Sequence, residues 1–325
     1  MNEMIDKSVI TILCPVYNES DNVDRFVREF MCAINLVDKR YSFEFLFADN
    51  CSTDDTVKRL LRLQSLHSNI RIIKYSRNFG VMKSIFTGIL NSNTNACAVF
   101  DCDLQDPPEL IVDFVNQWEA GAKVVYGVRR KRDEGSLIAI LRNVFRNIET
   151  FFKGYKVNLE SGAWFLDARV IQELRKVPFE PYLAGLIARL GFKSIGVPYD
   201  RRKRLYGESK FGFVKYFSYA RDGLVSGTIA PLRLAVLFGI IFSLLSFLFG
   251  LYFIYAKLFL NINFAAGMAG LIVIVLFGFG LSFFLIGIVG EYVGRIYLEK
   301  ESSQFAIIEE SFPCIEFQNH KKTNS

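Results

Sequence analysis

The first 130 residues alternate between short apolar runs and longer stretches with helical spacing. Residues 8–14 (S-V-I-T-I-L-C) form a β-rich run that stops at Pro15. Residues 22–34 then place Val23, Phe26, Val27 and Phe30 on one helical face. The alternation continues with strands at 43–47, 70–75, 97–100 and 123–128, and helices at 53–66, 80–90 and 107–118. Ser52 or Thr53 is placed to cap the second helix, and Pro107 and Pro108 open the fourth. Strands alternating with helices imply βαβ units, hence an α/β fold with a mostly parallel sheet.

Ligands of such sheets bind beyond the C-terminal ends of the strands. Polar residues gather at four of those ends: Asn18 and Glu19, Asp49, residues 76–78, and residues 101–106. That convergence predicts an active site along one sheet edge.

The last third changes character. Residues 234–256 carry no charge, a length that can span a bilayer, and a second charge-free run follows Lys257 and ends at Gly290. The pattern predicts two transmembrane helices joined by a tight hairpin near Asn261. Between residues 193 and 233 nine Lys or Arg face three acids, and aromatics interleave with Lys215 and Arg221. This stretch is expected to lie on the membrane surface as a basic, amphipathic segment. The positive-inside rule then puts the N-terminal domain and the C-terminus in the cytoplasm. The expected division is a catalytic domain at 1–200, a juxtamembrane segment at 201–231, a transmembrane hairpin at 232–295, and a polar cytoplasmic tail at 296–325.

Composition fits this division. Hydrophobic residues make up 51% and charged residues 22% of the 325, so apolar and charged surface must be segregated. The six Cys form no C-x-x-C pair and only two His occur, which argues against a zinc site or a disulfide framework. Net charge is +6, but no nucleic-acid-binding motif accompanies the basic run, so nucleic acid is not an expected partner. The apolar run that ends at Pro15 reads as a strand rather than a signal peptide.

Asp101-Cys102-Asp103 directly follows the fourth strand. On an extended segment, residues two apart project to one side. Two such carboxylates suit a hard divalent cation, which would absorb charge on a diphosphate leaving group. A D-x-D alone is common in solvated loops, so the surrounding motifs matter.

Those motifs resemble the family 2 glycosyltransferases with a GT-A fold. Within them the chain looks most like the polyprenyl-phosphate sugar transferases, such as dolichyl-phosphate mannose synthase and the bactoprenol glucosyltransferases. The resemblance covers roughly residues 8–295. It rests on six ordered blocks: Cys14-Pro15-Val16-Tyr17-Asn18-Glu19, Phe47 through Asp54, Ser76-Arg77-Asn78-Phe79-Gly80, Asp101 through Pro108, Tyr126-Gly127-Val128-Arg129, and Gly207-Glu208-Ser209-Lys210.

The resemblance implies a role for each block. Pro15, Tyr17, Glu19 and Asp49 would line the nucleoside pocket. Asp101 and Asp103 would hold Mg²⁺ or Mn²⁺ with Gln105 assisting, and Arg129 would stabilise phosphate charge. Arg202, Arg204, Ser209 and Lys210 would meet the donor diphosphate or the acceptor phosphate, for which a guanidinium offers bidentate geometry. Contact with anionic headgroups is the alternative for the basic run. The implied activity is inverting transfer of a hexose to undecaprenyl phosphate, with UDP-glucose the first choice of donor and GDP-mannose an alternative. The product would serve O-antigen modification, in a multi-pass protein of the bacterial inner membrane. Partners are the nucleotide sugar, the polyprenyl phosphate, the bilayer and further copies of the chain, up to a tetramer.

Two departures stand out. The family often has two adjacent acids and then Gly where this chain has Asp49-Asn50-Cys51. It often has a Gly-Asp-Phe-Arg-like segment where this chain has Glu160-Ser161-Gly162-Ala163-Trp164-Phe165-Leu166, which lacks that acid and that Arg near the acceptor side. Glu160 and Asp167 are then the nearest candidates for a base, although an anionic phosphate needs none. The rivals are a processive polysaccharide synthase, whose Gln-x-x-Arg-Trp motif is missing, and a non-catalytic membrane scaffold, against which the retained acids argue.

Overall fold

The computed structural model describes residues 8–130, 163–178, 182–202, 268–301 and 305–314, with scattered positions in 144–157 and 236–259. The chain forms two compact units. One comprises Met1–Ser226 with Ser303–Ser325, and the other Gly227–Ser302.

The first unit is built on one eight-stranded sheet. Strands β1 (Ser8–Val16), β2 (Tyr41–Asp49), β3 (Ile70–Tyr75), β4 (Ala96–Val99) and β5 (Val124–Arg129) fall where the sequence pattern puts them. Between them run α1 (Ser20–Ile34), α2 (Thr56–Leu66), α3 (Val81–Asn91) and α4 (Leu110–Glu119). Three strands were not anticipated: β6 (Trp164–Asp167), β7 (Ser194–Tyr199) and β8 (Ile308–Phe312). Two short helices, α5 (Ala168–Leu174) and α6 (Leu183–Arg189), lie between β6 and β7 in sequence.

The strand order is β7-β5-β6-β4-β1-β2-β3-β8. Parallel ladders join β1 to β2, β1 to β4, β2 to β3 and β5 to β7. Antiparallel ladders join β6 to both β4 and β5, and β8 to β3. The sheet is thus mostly parallel, but mixed at β6 and at its β8 edge. The polar stretch after Lys300 is not a free tail over residues 308–312, because β8 pairs along β3 there.

Alternation along the strands divides the core. Ile10, Ile12 and Cys14 of β1 share one buried layer with Phe26, Phe30, Ile111 and Phe114 from α1 and α4. Leu13 of β1 points the other way and joins Ile85, Phe86 and Ile89 of α3. Burial on both faces explains why these strands read as continuous apolar runs rather than alternating ones.

Helix starts differ from expectation in two places. Ser52 and Thr53 do not cap α2. Ser52 Oγ instead accepts Asn18 N–H at 2.9 Å, and Thr53 N–H donates to Asn18 Oδ1 at 2.8 Å. Pro107 and Pro108 precede α4 in a turn, where their carbonyls accept from Leu110 and Ile111 at 3.1 Å.

The second unit contains α7 (Met268–Glu301), 34 residues long. Among the described residues it is the one helix long and apolar enough to cross a membrane, over Phe277–Gly294. The first expected span and the hairpin near Asn261 lie outside the described residues, except for scattered helical positions in 236–259 that are all exposed.

Close packing of α3 on β1 depends on Gly88, where an added Cβ would lie 2.5 and 2.8 Å from the two Leu13 methyl groups. Leu13 is fully buried and has little room to yield. Gly88→Val should therefore destabilise the first unit by about 1–3 kcal/mol. A thermal midpoint in detergent equal to that of the parent would contradict this packing.

Candidate active site

The loops after β1 and β2 are stitched together at the sheet edge. Asn50 N–H donates to Val16 O at 2.9 Å, and Glu19 N–H to Thr56 Oγ1 at 2.9 Å. Asn18 and Cys51 both adopt left-handed backbone, with φ of 55° and 63°. The turn at Cys51 therefore asks for the conformation glycine adopts most easily, which accounts for a Gly there in the resembling family.

Asp49 closes β2 and is fully buried. Its Oδ2 accepts Ser52 N–H at 3.1 Å, while its Oδ1 has no partner. Burial pushes the carboxyl above its ordinary pKa, and the Ser52 bonds and Lys74 oppose that shift. An orphaned buried carboxylate oxygen is costly. It matches a ligand that brings an N–H donor. Val16 pairs with Asp49, with Pro15 before it in β1 and Tyr17 and Glu19 after it on the loop, where Glu19 Oε2 accepts Asn22 Nδ2 at 2.6 Å.

The acids after β4 sit in a turn rather than on an extended segment. Asp103 Oδ1 accepts Gln105 N–H at 3.2 Å, and Leu104 has a φ of 54°. Burial, Asp106 and Asp103 together push Asp101 up to about 7, against the pull of Arg129 and Arg201. Burial likewise raises Asp106, whose Oδ1 accepts Tyr199 OH and lies 3.8 Å from the Arg129 guanidinium. Arg129 Nε donates to Tyr199 OH at 3.2 Å. Three carboxylates thus crowd one turn, with two guanidinium groups and a phenol set against them.

A divalent cation fits this chemistry. The donors are hard oxygens, and a positive ion would offset both the burial and the repulsion that raise Asp101. Among the described residues no group of three His, Cys, Asp or Glu forms a closed ligand set. Asp101, Asp103 and Gln105 would supply part of a coordination shell.

The basic run behaves unevenly. Arg201 reaches Gln105 Oε1 through its guanidinium, and Arg202 N–H donates to Gln105 O at 2.8 Å. The Arg202 side chain is engaged by acids, Glu29 at 2.8 Å and both oxygens of Glu109 at 2.9 Å. Arg204, Ser209, Lys210 and Glu160 lie outside the described residues. Sequence reasoning missed Tyr199 and gave no separate role to Asp106 or Arg201. Arg201 was within sight as part of the run, but the Tyr199–Asp106 bond spans 93 positions and leaves no local signal.

Asp167 is not near the acids. It pairs with Ala96 at the opposite end of β4, accepts from Trp118 Nε1 at 2.7 Å and Lys123 Nζ at 2.8 Å, and caps α5 through Arg169 N–H at 2.9 Å. It is a structural acid, not a base.

A GT-A-like α/β domain with acids gathered past β4 is the arrangement that the resemblance to sugar transferases implied, and comparison with known proteins gives the class. The family described as glycosyl transferase family 2 matches residues 11–173. YkcC of Bacillus subtilis, an uncharacterised glycosyltransferase, is 32% identical over 305 residues, covering 93% of this chain and 94% of that one. The SfII prophage-derived bactoprenol glucosyl transferase of Shigella flexneri is 30% identical over 308 residues, covering 93% and 98%. A glucosyl-3-phosphoglycerate synthase from Mycobacterium tuberculosis, solved with Mn²⁺, UDP-glucose and phosphoglyceric acid, shares the fold. Its TM-score is 0.50 at 18% identity, over 67% of this chain and 79% of that one. The chain belongs to glycosyl transferase family 2 and is a glycosyltransferase.

Asp167→Ala should remove a cap and leave the Trp118 and Lys123 donors unpaired, at a cost of about 1–3 kcal/mol. Affinity for a nucleoside diphosphate should not change. A variant of parental stability that has lost nucleotide binding would reverse this assignment.

Proposed function

We propose that the chain transfers a hexose from a nucleotide sugar to a polyprenyl phosphate, with glucose from UDP-glucose and undecaprenyl phosphate as the preferred pair. The observation that carries this reading is the crowding of Asp101, Asp103 and Asp106 opposite Arg129 and Arg201. Such a site suits a cation-bridged diphosphate. The Shigella relative named for bactoprenol glucosyl transfer, matched along nearly its whole length, supports the acceptor and the sugar. The orphaned Asp49 oxygen supports a base with a ring N–H, which uracil and guanine both offer.

In this reading an acceptor phosphate oxygen forms a bond to the anomeric carbon. The bond from that carbon to the diphosphate breaks, and its electron pair leaves with the nucleoside diphosphate. Bound Mg²⁺ or Mn²⁺ would offset the charge developing on that leaving group. Asp101, Asp103 and Gln105 would hold the cation, and Arg129 would stay fixed by Tyr199 and Asp106. Arg201, Arg204, Ser209 and Lys210 would face the phosphates, while Arg202, already tied to Glu29 and Glu109, would anchor the segment that carries them. The attacking phosphate is anionic, so alignment and charge stabilisation do the work without a base.

A panel of nucleotide sugars with undecaprenyl phosphate, read as lipid-extractable label, tests the reaction. Asp103→Asn should keep the fold and reduce transfer about a hundredfold or more, equivalent to losing about 3 kcal/mol of leaving-group stabilisation. Full activity in that variant, or indifference to EDTA, would remove the cation from the mechanism.

The same reading places the enzyme in the inner membrane of a bacterium, as a homo-oligomer that supplies lipid-linked sugar for O-antigen modification. Both termini would then be cytoplasmic. In intact cells of a cysteine-replaced background, an impermeant reagent should label a cysteine introduced at Asn261 and spare one at His320. The opposite pattern would invert the topology.

A further inference from the structure

We propose that the C-terminal segment, residues 305–314, is a positioning element of the donor site. This rests on the nucleotide-site reading above. Without β8, strand β3 would be the open edge of the sheet, with unpaired backbone groups. β8 pairs Ile72 with Phe312, Ile73 with Ser311, Lys74 with Glu310 and Tyr75 with Ile308. Lys74 is bonded to Glu310 at 2.7 Å and pairs with Glu309 at 3.4 Å. Beyond β8, Gln64 Nε2 donates to the carbonyls of Phe312 and Pro313 at 3.2 and 3.1 Å, and the buried Cys314 thiol donates to Ser68 O. Nothing in these contacts resembles a loosely held tail.

The other end of the segment lies at the active-site edge. Ser76 N–H donates to Ile307 O at 3.0 Å, Ala306 N–H to the buried Thr87 Oγ1 at 2.8 Å, and the Phe305 ring stacks on Phe86. Ser76 opens the loop of residues 76–80. Asn50 grips the same loop from inside: its Nδ2 donates to Asn78 Oδ1 and its Oδ1 accepts Phe79 N–H, both at 2.9 Å. Asn50 follows Asp49, the residue with the orphaned oxygen. The loop that flanks the nucleoside pocket is therefore held from two sides, by the β2 end and by the last residues of the chain. Because those residues follow the apolar helix α7 in sequence, the donor pocket is complete only once the whole membrane unit has been synthesised.

The test compares the full chain, full-length Thr87→Val, and a chain ended after Gln304, each in detergent with Mn²⁺. UDP and GDP are the binding probes, and a synthetic peptide of residues 305–314 is added in trans. Thr87→Val and the shortened chain should each bind nucleoside diphosphate about five- to tenfold more weakly. Donor KM should rise by the same factor while kcat at saturating donor stays within about twofold of the parent. The peptide should restore the shortened chain by adding a strand at the open edge. Parental affinity in both variants overturns the proposal, as does a parallel fall in kcat and thermal midpoint with donor KM unchanged. If the shortened chain does not fold, Thr87→Val alone decides. If the parent binds neither UDP nor GDP, the nucleotide-site reading itself is wrong and this proposal falls with it.

Discussion

Gathering three carboxylates into one turn after β4 is the constraint around which the catalytic half is arranged. Burial raises Asp101, and repulsion from Asp106 and Asp103 raises it further. The compensation comes from distant parts of the chain. Arg129 ends β5, Tyr199 ends β7, and Arg201 follows two residues later. The parallel register of β5 and β7 places Arg129 beside Tyr199, so one ladder delivers both groups together. Arg129 lies beyond the stretch of β5 that pairs with β6, and its guanidinium comes within 3.8 Å of Asp106. The two late strands are thus a support for the acid turn as much as an extension of the sheet.

What could be read from the sequence follows from how each element is buried. β1 to β4 are covered on both faces and appear as uninterrupted apolar runs. β6 has only four residues, β7 contains Gly and Pro, and β8 reads Ile-Glu-Glu-Ser-Phe. Each of the last three owes its conformation to the strand beside it, and pairing of that kind leaves no periodic mark. The site divides the same way. Acids at strand ends were legible because topology alone sends them to one edge. The partners of those acids were not, because nothing local links Tyr199 to Asp106 or Arg202 to Glu29.

The departures from the family pattern have structural reasons. At position 50 the amide both donates to Asn78 and accepts from Phe79. An ionised acid could make only the second bond. Around β6 the change is larger. Phe165 is fully buried against Phe114 and Trp118, where an arginine would have to bury a charge. Ala163 is also fully buried, and its carbonyl accepts Gly127 N–H at 3.1 Å. Over its described residues, 163–166, the segment is converted to buried core and strand.

That conversion narrows how the chemistry can work. With Ala163 apolar and Asp167 held at the far end of β4 by Trp118 and Lys123, neither supplies a base beside Asp101. Among the described residues the acid turn gathers carboxylates suited to a cation and guanidinium groups suited to phosphate, beside the Tyr199 phenol and the buried Cys102 thiol. An alcohol acceptor would need its proton removed during attack. A phosphate acceptor brings its own negative charge and requires only to be held in line with a stabilised leaving group. Ala163 and Phe165 are packed as core, and in the proposed reaction the phosphate acceptor arrives already ionised and asks for no base there.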